Sequence, residues 1–245
     1  MGEKIRVLVG DERGGLIQLS SDDNGRTWGT PEVAMSGIEA CTFATDSNGT
    51  TYMGTRGDGL FRSHDGLRTW EQLDVPPGMK MIRSFWVDGD RLLLGTEPAG
   101  VYEYSGHGVA RALGDIWSSP GSAEWFYPVK IEAVHIRGLS VDPTNPDRIY
   151  AAVQVGGVGI SPDNGATWSD RRNLDLDVHQ VRPHATRPGV VYAGSGGGGL
   201  YRSADYGETW ACISEGCGQF VLDFAIDPRD PERMYLGTAR GGVPS

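Results

Sequence analysis

Cysteine is scarce in this chain: Cys41, Cys212 and Cys217 are the only three among 245 residues. An odd number with no C-x-x-C spacing indicates neither a disulfide framework nor a zinc site. No apolar run is long enough to cross a bilayer as a helix, and residues 1–20 lack the charged-then-apolar layout of a signal peptide, so the expected compartment is the cytoplasm. Cations are outnumbered as well, with 22 Lys and Arg against 32 Asp and Glu, a formal net charge of -10 and a pI near 4.9. Because phosphate neutralisation needs clustered Lys and Arg, this balance argues against nucleic acid or an anionic membrane as the main partner. What the chain has in quantity is glycine, 37 residues, within a sequence that is 38% hydrophobic. That is enough apolar material for one sizeable core, and residues 1–245 are expected to form a single domain.

The octapeptide S-x-D-x-G-x-T-W recurs along the chain. It reads Ser21-Asp22-Asp23-Asn24-Gly25-Arg26-Thr27-Trp28, Ser63-His64-Asp65-Gly66-Leu67-Arg68-Thr69-Trp70, Ser161-Pro162-Asp163-Asn164-Gly165-Ala166-Thr167-Trp168 and Ser203-Ala204-Asp205-Tyr206-Gly207-Glu208-Thr209-Trp210. The aspartates are 42, 98 and 42 residues apart, so the middle gap has room for two units plus an insertion. A period in the forties means stacked supersecondary units. Glycine tolerates positive φ, and the Asp carboxylate can accept backbone N–H groups just downstream, so each box predicts a tight hairpin turn. Asp23, Asp65, Asp163 and Asp205 are therefore structural, and Trp28, Trp70, Trp168 and Trp210 re-enter a strand as apolar plugs.

These residues resemble the Asp-box, or BNR, repeat. The chain accordingly resembles Asp-box β-propeller proteins, among them sialidases, xyloglucanase-type glycoside hydrolases, sortilin-like receptors and photosystem-assembly propellers. The resemblance implies an all-β propeller of four-stranded antiparallel blades with the boxes in the turns between third and fourth strands. It covers nearly the whole chain and says little about activity, because those relatives share the box without sharing a job.

In the second unit the strands are expected at 38–45, 51–54, 59–63 and 69–73, separated by Gly, Asp and Asn turns. The runs Asp142-Pro143-Thr144-Asn145-Pro146 and Asp227-Pro228-Arg229-Asp230-Pro231 are equivalent turns between first and second strands, with a looser copy at 184–192. The third unit, Gly100 to Gly108, keeps a hairpin and loses the box. Second strands beginning near 5, 51, 91, 148, 190 and 234 make six blades, the first without its inner strand and the last without its outer ones. A truncated seven-bladed ring, or five blades and a displaced tail, are the alternatives. An open blade edge also allows self-association.

The resemblance places the boxes on one face and the starts of the inner strands on the other, around the mouth of a central channel. Aligning inner strands puts Cys41, Arg83, Arg137, His179 and Leu222 at one position, with Glu39, Met81, His135, Asp177 and Phe220 two residues earlier. Turns between second and third strands add Glu12, Arg13, Arg56, Asp58, Glu97, Gln154, Ser195 and Arg240. The segment 115–129, with Trp117, Trp125, Phe126 and Tyr127, is a candidate lid or a packing plug.

Three functions fit such a ring. In an acidic-glycan hydrolase, Glu39, Glu97 and Asp177 supply the acid and its carboxylate partner, and Arg56, Arg83 and Arg137 clamp an anionic group, with Gln154, Trp125, Tyr127 and Arg240 as further ligand contacts. The chain lacks an Arg-Ile-Pro signature and an assignable Tyr–Glu nucleophile pair, and it has one propeller where xyloglucanases place their acids between two. In a metal-dependent ester or lactone hydrolase, the same carboxylates would hold Ca²⁺ or another divalent ion with His135 or His179 as base, against the repulsion of three arginines. The third is a non-catalytic binding or assembly scaffold. The glycine run Gly196 to Gly199 has neither the spacing of a nucleophile elbow nor a following helix to make a phosphate loop.

Overall fold

The computed structural model describes residues 4–11, 14–105, 109–126, 133–215 and 218–239. Within these residues the chain is all-β, with two single-turn 3-10 segments, Ile116–Ser118 and Ser122–Glu124, as its helical content. Twenty-one strands form six antiparallel sheets in chain order. The first contains β1 (Ile5–Asp11), β2 (Gly15–Ser21) and β3 (Glu32–Ser36); the second contains β4 (Ala40–Thr45), β5 (Thr51–Thr55), β6 (Leu60–Ser63) and β7 (Glu71–Leu73). The third is built from β8 (Met81–Asp88), β9 (Arg91–Glu97), β10 (Val101–Ser105) and β11 (Val109–Ala112), and the fourth from β12 (Ile136–Asp142), β13 (Asn145–Val153), β14 (Gly157–Ser161) and β15 (Ser169–Arg171). The fifth has β16 (Val178–Pro183), β17 (Val191–Ser195), β18 (Leu200–Ser203) and β19 (Ala211–Cys212), and the sixth pairs β20 (Phe220–Asp227) with β21 (Asp230–Ala239). No helix among the described residues is long and apolar enough to cross a membrane.

Sheets stack through their inner strands: β4 meets β8, β8 meets β12, β12 meets β16, and β16 meets β20. Fully buried Ile82, Ile136, Val178 and Val221 lie in this seam. For three of them the second strand of the preceding sheet makes room with glycine. A Cβ on Gly54 would fall 2.8 Å from Ile82 Cγ2, one on Gly95 2.7 Å from Ile136 Cγ2, and one on Gly194 2.8 Å from Val221 Cγ1. All three are closer than packed carbons approach. Hydroxyls then tie neighbouring sheets together, Ser84 Oγ donating to Ile136 O at 2.8 Å and Ser140 Oγ to Val181 O at 2.9 Å.

The boxes form the turns β2–β3, β6–β7, β14–β15 and β18–β19. In the first, Asp23 Oδ1 accepts Ser21 Oγ at 2.7 Å and Thr27 N at 2.8 Å, while Oδ2 accepts Thr27 Oγ1 at 2.6 Å. The same bonds recur on Asp65, Asp163 and Asp205. The threonine hydroxyl and then its backbone N–H hold the Asp23 and Asp205 carboxyls down to about 2. The second box departs from the pattern, because its glycine stands one place early. Leu67 therefore takes the left-handed conformation, φ 73°, where the other copies have Gly25, Gly165 and Gly207. A side chain there is strained by about 1–2 kcal/mol. The plugs also differ: Trp168 is buried and donates Nε1–H to Leu113 O at 2.8 Å, whereas Trp28 on the first sheet is 44% exposed.

Candidate functional site

Inner strands all run the same way, from one end of the stack to the turns that lead into the second strands. Antiparallel order puts the box turns at that second end too, and leaves the inner-strand starts at the opposite end. Each inner strand carries a β-bulge near its start. The register breaks at Cys41 in β4, Arg83 in β8, Arg137 in β12, His179 in β16 and Leu222 in β20. These are the five positions that the alignment of inner strands makes equivalent. A bulge inserts one unpaired residue and re-aims its side chain, which is why bulges recur beside binding sites. The bulges themselves are not stated by the alignment, yet a signal for them exists. Buried apolar residues fall three apart where a regular strand spaces them by two, as in Ile136 and Leu139, Val178 and Val181, and Val221 and Phe224.

Glu39, Ala40, Cys41, Arg56, Arg83, His135, Arg137 and Gln154 line one cavity of about 420 Å³ at this end. Arg56 Nε lies 2.7 Å from Glu39 Oε1, and its backbone N–H donates to Glu39 O at 2.9 Å. Arg137 Nη1 donates to Gln154 Oε1 at 3.1 Å. Glu97 stands behind this lining. It accepts Arg83 Nε at 2.6 Å and Ala133 N at 3.0 Å, and its side chain is 4% exposed. The buried His135 ring donates from Nδ1 to Ala133 O at 2.9 Å and lies 3.7 Å from the Glu97 carboxylate. The Cys41 thiol is pushed above its ordinary range by burial, against the opposing charges of Arg83 and Arg56.

Asp177 and His179 occupy the next sheet, joined to the cavity wall through the bridge between Gln154 and Asp177. His179 is 2% exposed, and its two ring nitrogens face oxygen: Nδ1 meets Val221 O at 2.9 Å and Nε2 meets Asp177 Oδ2 at 3.3 Å. Burial raises the Asp177 carboxyl, but the hydrogen bond and charge of His179, followed by Arg137 and Gln154, outweigh it and hold the group below its usual value. Gly196 leaves the space that this carboxylate occupies, so the glycine run packs against Asp175 and Asp177. Beside two carboxylates it is no phosphate loop.

The other candidates lie elsewhere. Trp125 is 6% exposed within the core cluster of Leu93, Ile136 and Trp168, 5.3 Å from the Trp117 ring, and does not line the cavity. Trp117 Nε1 donates to Ala99 O at 2.8 Å and Gly121 N to Asp170 Oδ1 at 2.9 Å, so the described part of this segment, residues 115–126, is tied to the third and fourth sheets. Tyr127, Arg240, Glu12 and Arg13 fall outside the described residues. Among the described residues no three His, Cys, Asp or Glu side chains converge as a metal cage.

No protein-family model matches the chain, and no curated protein matches it. Solved structures do. An ancestral GH74 enzyme superposes with a TM-score of 0.59 at 18% identity, over 77% of this chain and 26% of its own. Sqt1 of Chaetomium thermophilum gives 0.59 at 13%, over 94% and 63%, and YCF48 from Cyanidioschyzon merolae gives 0.52 at 14%, over 96% and 92%. The fold is a β-propeller. At these identities the likeness defines architecture alone, and the chain spans about a quarter of the GH74 enzyme's length.

Proposed function

We propose that the channel mouth of this propeller binds an anionic small molecule, one carrying a carboxylate or phosphate group. The observation that carries this is the lining itself: three guanidinium groups converge on one space of about 420 Å³, each held in place by a neighbour, Arg56 by Glu39, Arg83 by Glu97 and Arg137 by Gln154. Guanidinium forks match carboxylate and phosphate geometry, and a concave site with low-dielectric walls focuses their field. Binding is favoured over hydrolysis of an acidic glycan by the state of the carboxylates. Glycoside hydrolysis needs one acid with a raised pKa, while Asp177 is held below its usual value by His179 and Glu97 is committed to Arg83 and the Ala133 N–H. The likeness to GH74 enzymes supports glycan hydrolysis as the second reading.

Cys41 provides a reporter inside the cavity. Alkylation by negatively charged iodoacetate and by neutral iodoacetamide should show a rate ratio that favours the anion at Cys41 relative to exposed Cys212, read by peptide mapping. Arg137→Ala should lower that ratio about threefold to tenfold, and inorganic phosphate should protect the wild-type thiol. Equal ratios at the two cysteines, unaltered by Arg137→Ala, would remove the proposal.

A further inference from the structure

The first sheet has no inner strand. Its order is β1-β2-β3, and β1 holds the place of a second strand: Gly10 stands where Gly54, Gly95 and Gly194 stand in later sheets, and its Cβ would fall 3.4 Å from Ala40 Cβ on the next inner strand. The side of β1 that other second strands give to an inner strand is paired with no strand among the described residues. Burial records the loss. Val9 is 43% exposed where Met53 and Leu94 are buried at the same place, and Val7 is 38% exposed where Leu92 and Val191 are buried.

The last sheet is bare on the opposite face. Tyr235 of β21 holds the place of Tyr150 and Tyr192, which are buried against residues of the following sheet, and it is 56% exposed. Gly237 holds the place of Gly54, Gly95 and Gly194, which make room for Ile82, Ile136 and Val221 of the next inner strand; a Cβ on Gly237 would meet nothing nearer than Asp223 O of its own sheet, at 3.5 Å. The two vacancies have one description. In this stack an inner strand pairs with the second strand of its own sheet and seats an apolar residue on the sheet before. The strands present also show what fills such a place: an apolar residue, two residues that carry the bulge, and a second apolar residue, as in Ile82 and Phe85, Ile136 and Leu139, and Val178 and Val181.

We propose that the open side of β1 is a docking site for one extended strand of another polypeptide, a segment with a β-branched apolar residue followed three places on by a second apolar residue. The edge offers backbone N–H and C=O groups to pair, and adding a strand to such an edge is a general mode of peptide recognition. The registers of the other sheets fix its position. The first apolar residue lies opposite Asp11 and rests on Gly237, and the second lies opposite Val9. The strand comes from a partner because each of the 21 described strands, inner strands included, is already paired within a sheet of its own. A second copy has the same strands committed. The site is separate from the mouth, since Val7, Val9, Tyr235 and Gly237 do not line that cavity.

The probe is a synthetic peptide with the sequence of residues 134–143, in which Ile136 and Leu139 carry the pattern. Titrated into the whole chain and followed by calorimetry and hydrogen exchange, it should bind once per chain and slow the exchange of amides in residues 5–11. Adjacent amides of a strand point to opposite sides. N-methylation of the peptide at Leu139 or at Ser140 should therefore abolish binding in one case and spare it in the other. Ile136→Asp in the peptide should weaken binding about tenfold or more, and so should Gly237→Leu or Val9→Asp in the protein, at exposed positions that leave its core untouched. Inorganic phosphate, the probe of the mouth, should change nothing. One-to-one binding that protects residues 5–11, distinguishes the two methylated peptides and is weakened by Gly237→Leu supports the site. Absence of binding, binding without protection of residues 5–11, the same response to both methylations, or binding unaltered by Gly237→Leu would overturn it.

Discussion

The two faces of this propeller are built by different rules. On the box face four turns repeat one bonding scheme, with Asp23, Asp65, Asp163 and Asp205 each holding a threonine four residues on. On the mouth face five equivalent bulge positions carry four residue types, in Cys41, Arg83, Arg137, His179 and Leu222. A position that keeps its residue type from repeat to repeat answers to a need every sheet has, here closing a turn. A position that is aimed the same way in every sheet yet changes its residue answers to something outside the repeat. The lesson is that in a repeat protein the candidate site is found where geometry is constant and chemistry is not.

The comparison breaks most sharply at Trp168. Removing this buried ring and its bond to Leu113 O should cost about 3–5 kcal/mol, as for other large-to-small core changes, and appear as an early denaturant midpoint. The anion preference of Cys41 alkylation should survive in whatever fraction remains folded. Loss of that preference at native-like stability would mean that the two faces are coupled and the separation drawn here is false.

A smaller effect sharpens it from the other side. Leu67 stands at the left-handed position that glycine fills in the other boxes, so Leu67→Gly should stabilise the protein by about 1 kcal/mol, strain relief exceeding the added freedom of the unfolded chain. A midpoint that moves down in chemical denaturation would show that Leu67 contributes packing of greater value. The smallest effect concerns acid. The Asp23 and Asp205 carboxyls titrate at about 2 in the folded protein, below their unfolded value of about 4. Their contribution is complete above the unfolded pKa and is lost as pH falls through the folded one. The melting temperature should therefore drop between about pH 4 and pH 2, and Asp205→Asn should make that drop shallower. An Asp205→Asn protein with an unaltered acid profile would show that the boxes do not set it.

Much of the fold was legible in the residues, and the reason is local. Four boxes and the glycine punctuation are short-range instructions, so second-unit strands expected at 38–45, 51–54, 59–63 and 69–73 appear as β4 to β7 within two residues at each end. The shortened first and last sheets also match, since a missing inner or outer strand is visible as a missing segment. The second box misled in one detail, because its glycine is displaced and only the backbone shows that Leu67 absorbs the turn.

The mouth was legible in part. Equivalent positions follow from the repeat, so Glu39, Arg56, Arg83, His135, Arg137 and Gln154 could be grouped, and the structure places them around one cavity. What each does there depends on partners far away in the chain. Glu97 is engaged by Arg83, fourteen residues back, and Ala133, 36 residues on. Trp125 looked like a ligand contact because aromatic loops often are, but it packs into the core with Trp168.

The sequence by itself determined the repeat, the turn chemistry and the order of strands, because each depends on residues within a few positions of one another. Tertiary structure alone decided which charges are spent on neighbours, which face of the insertion is buried, and which faces of the first and last sheets stay uncovered. Those outcomes depend on inner strands roughly forty residues apart coming to lie side by side, and on how they pack, which no local pattern encodes.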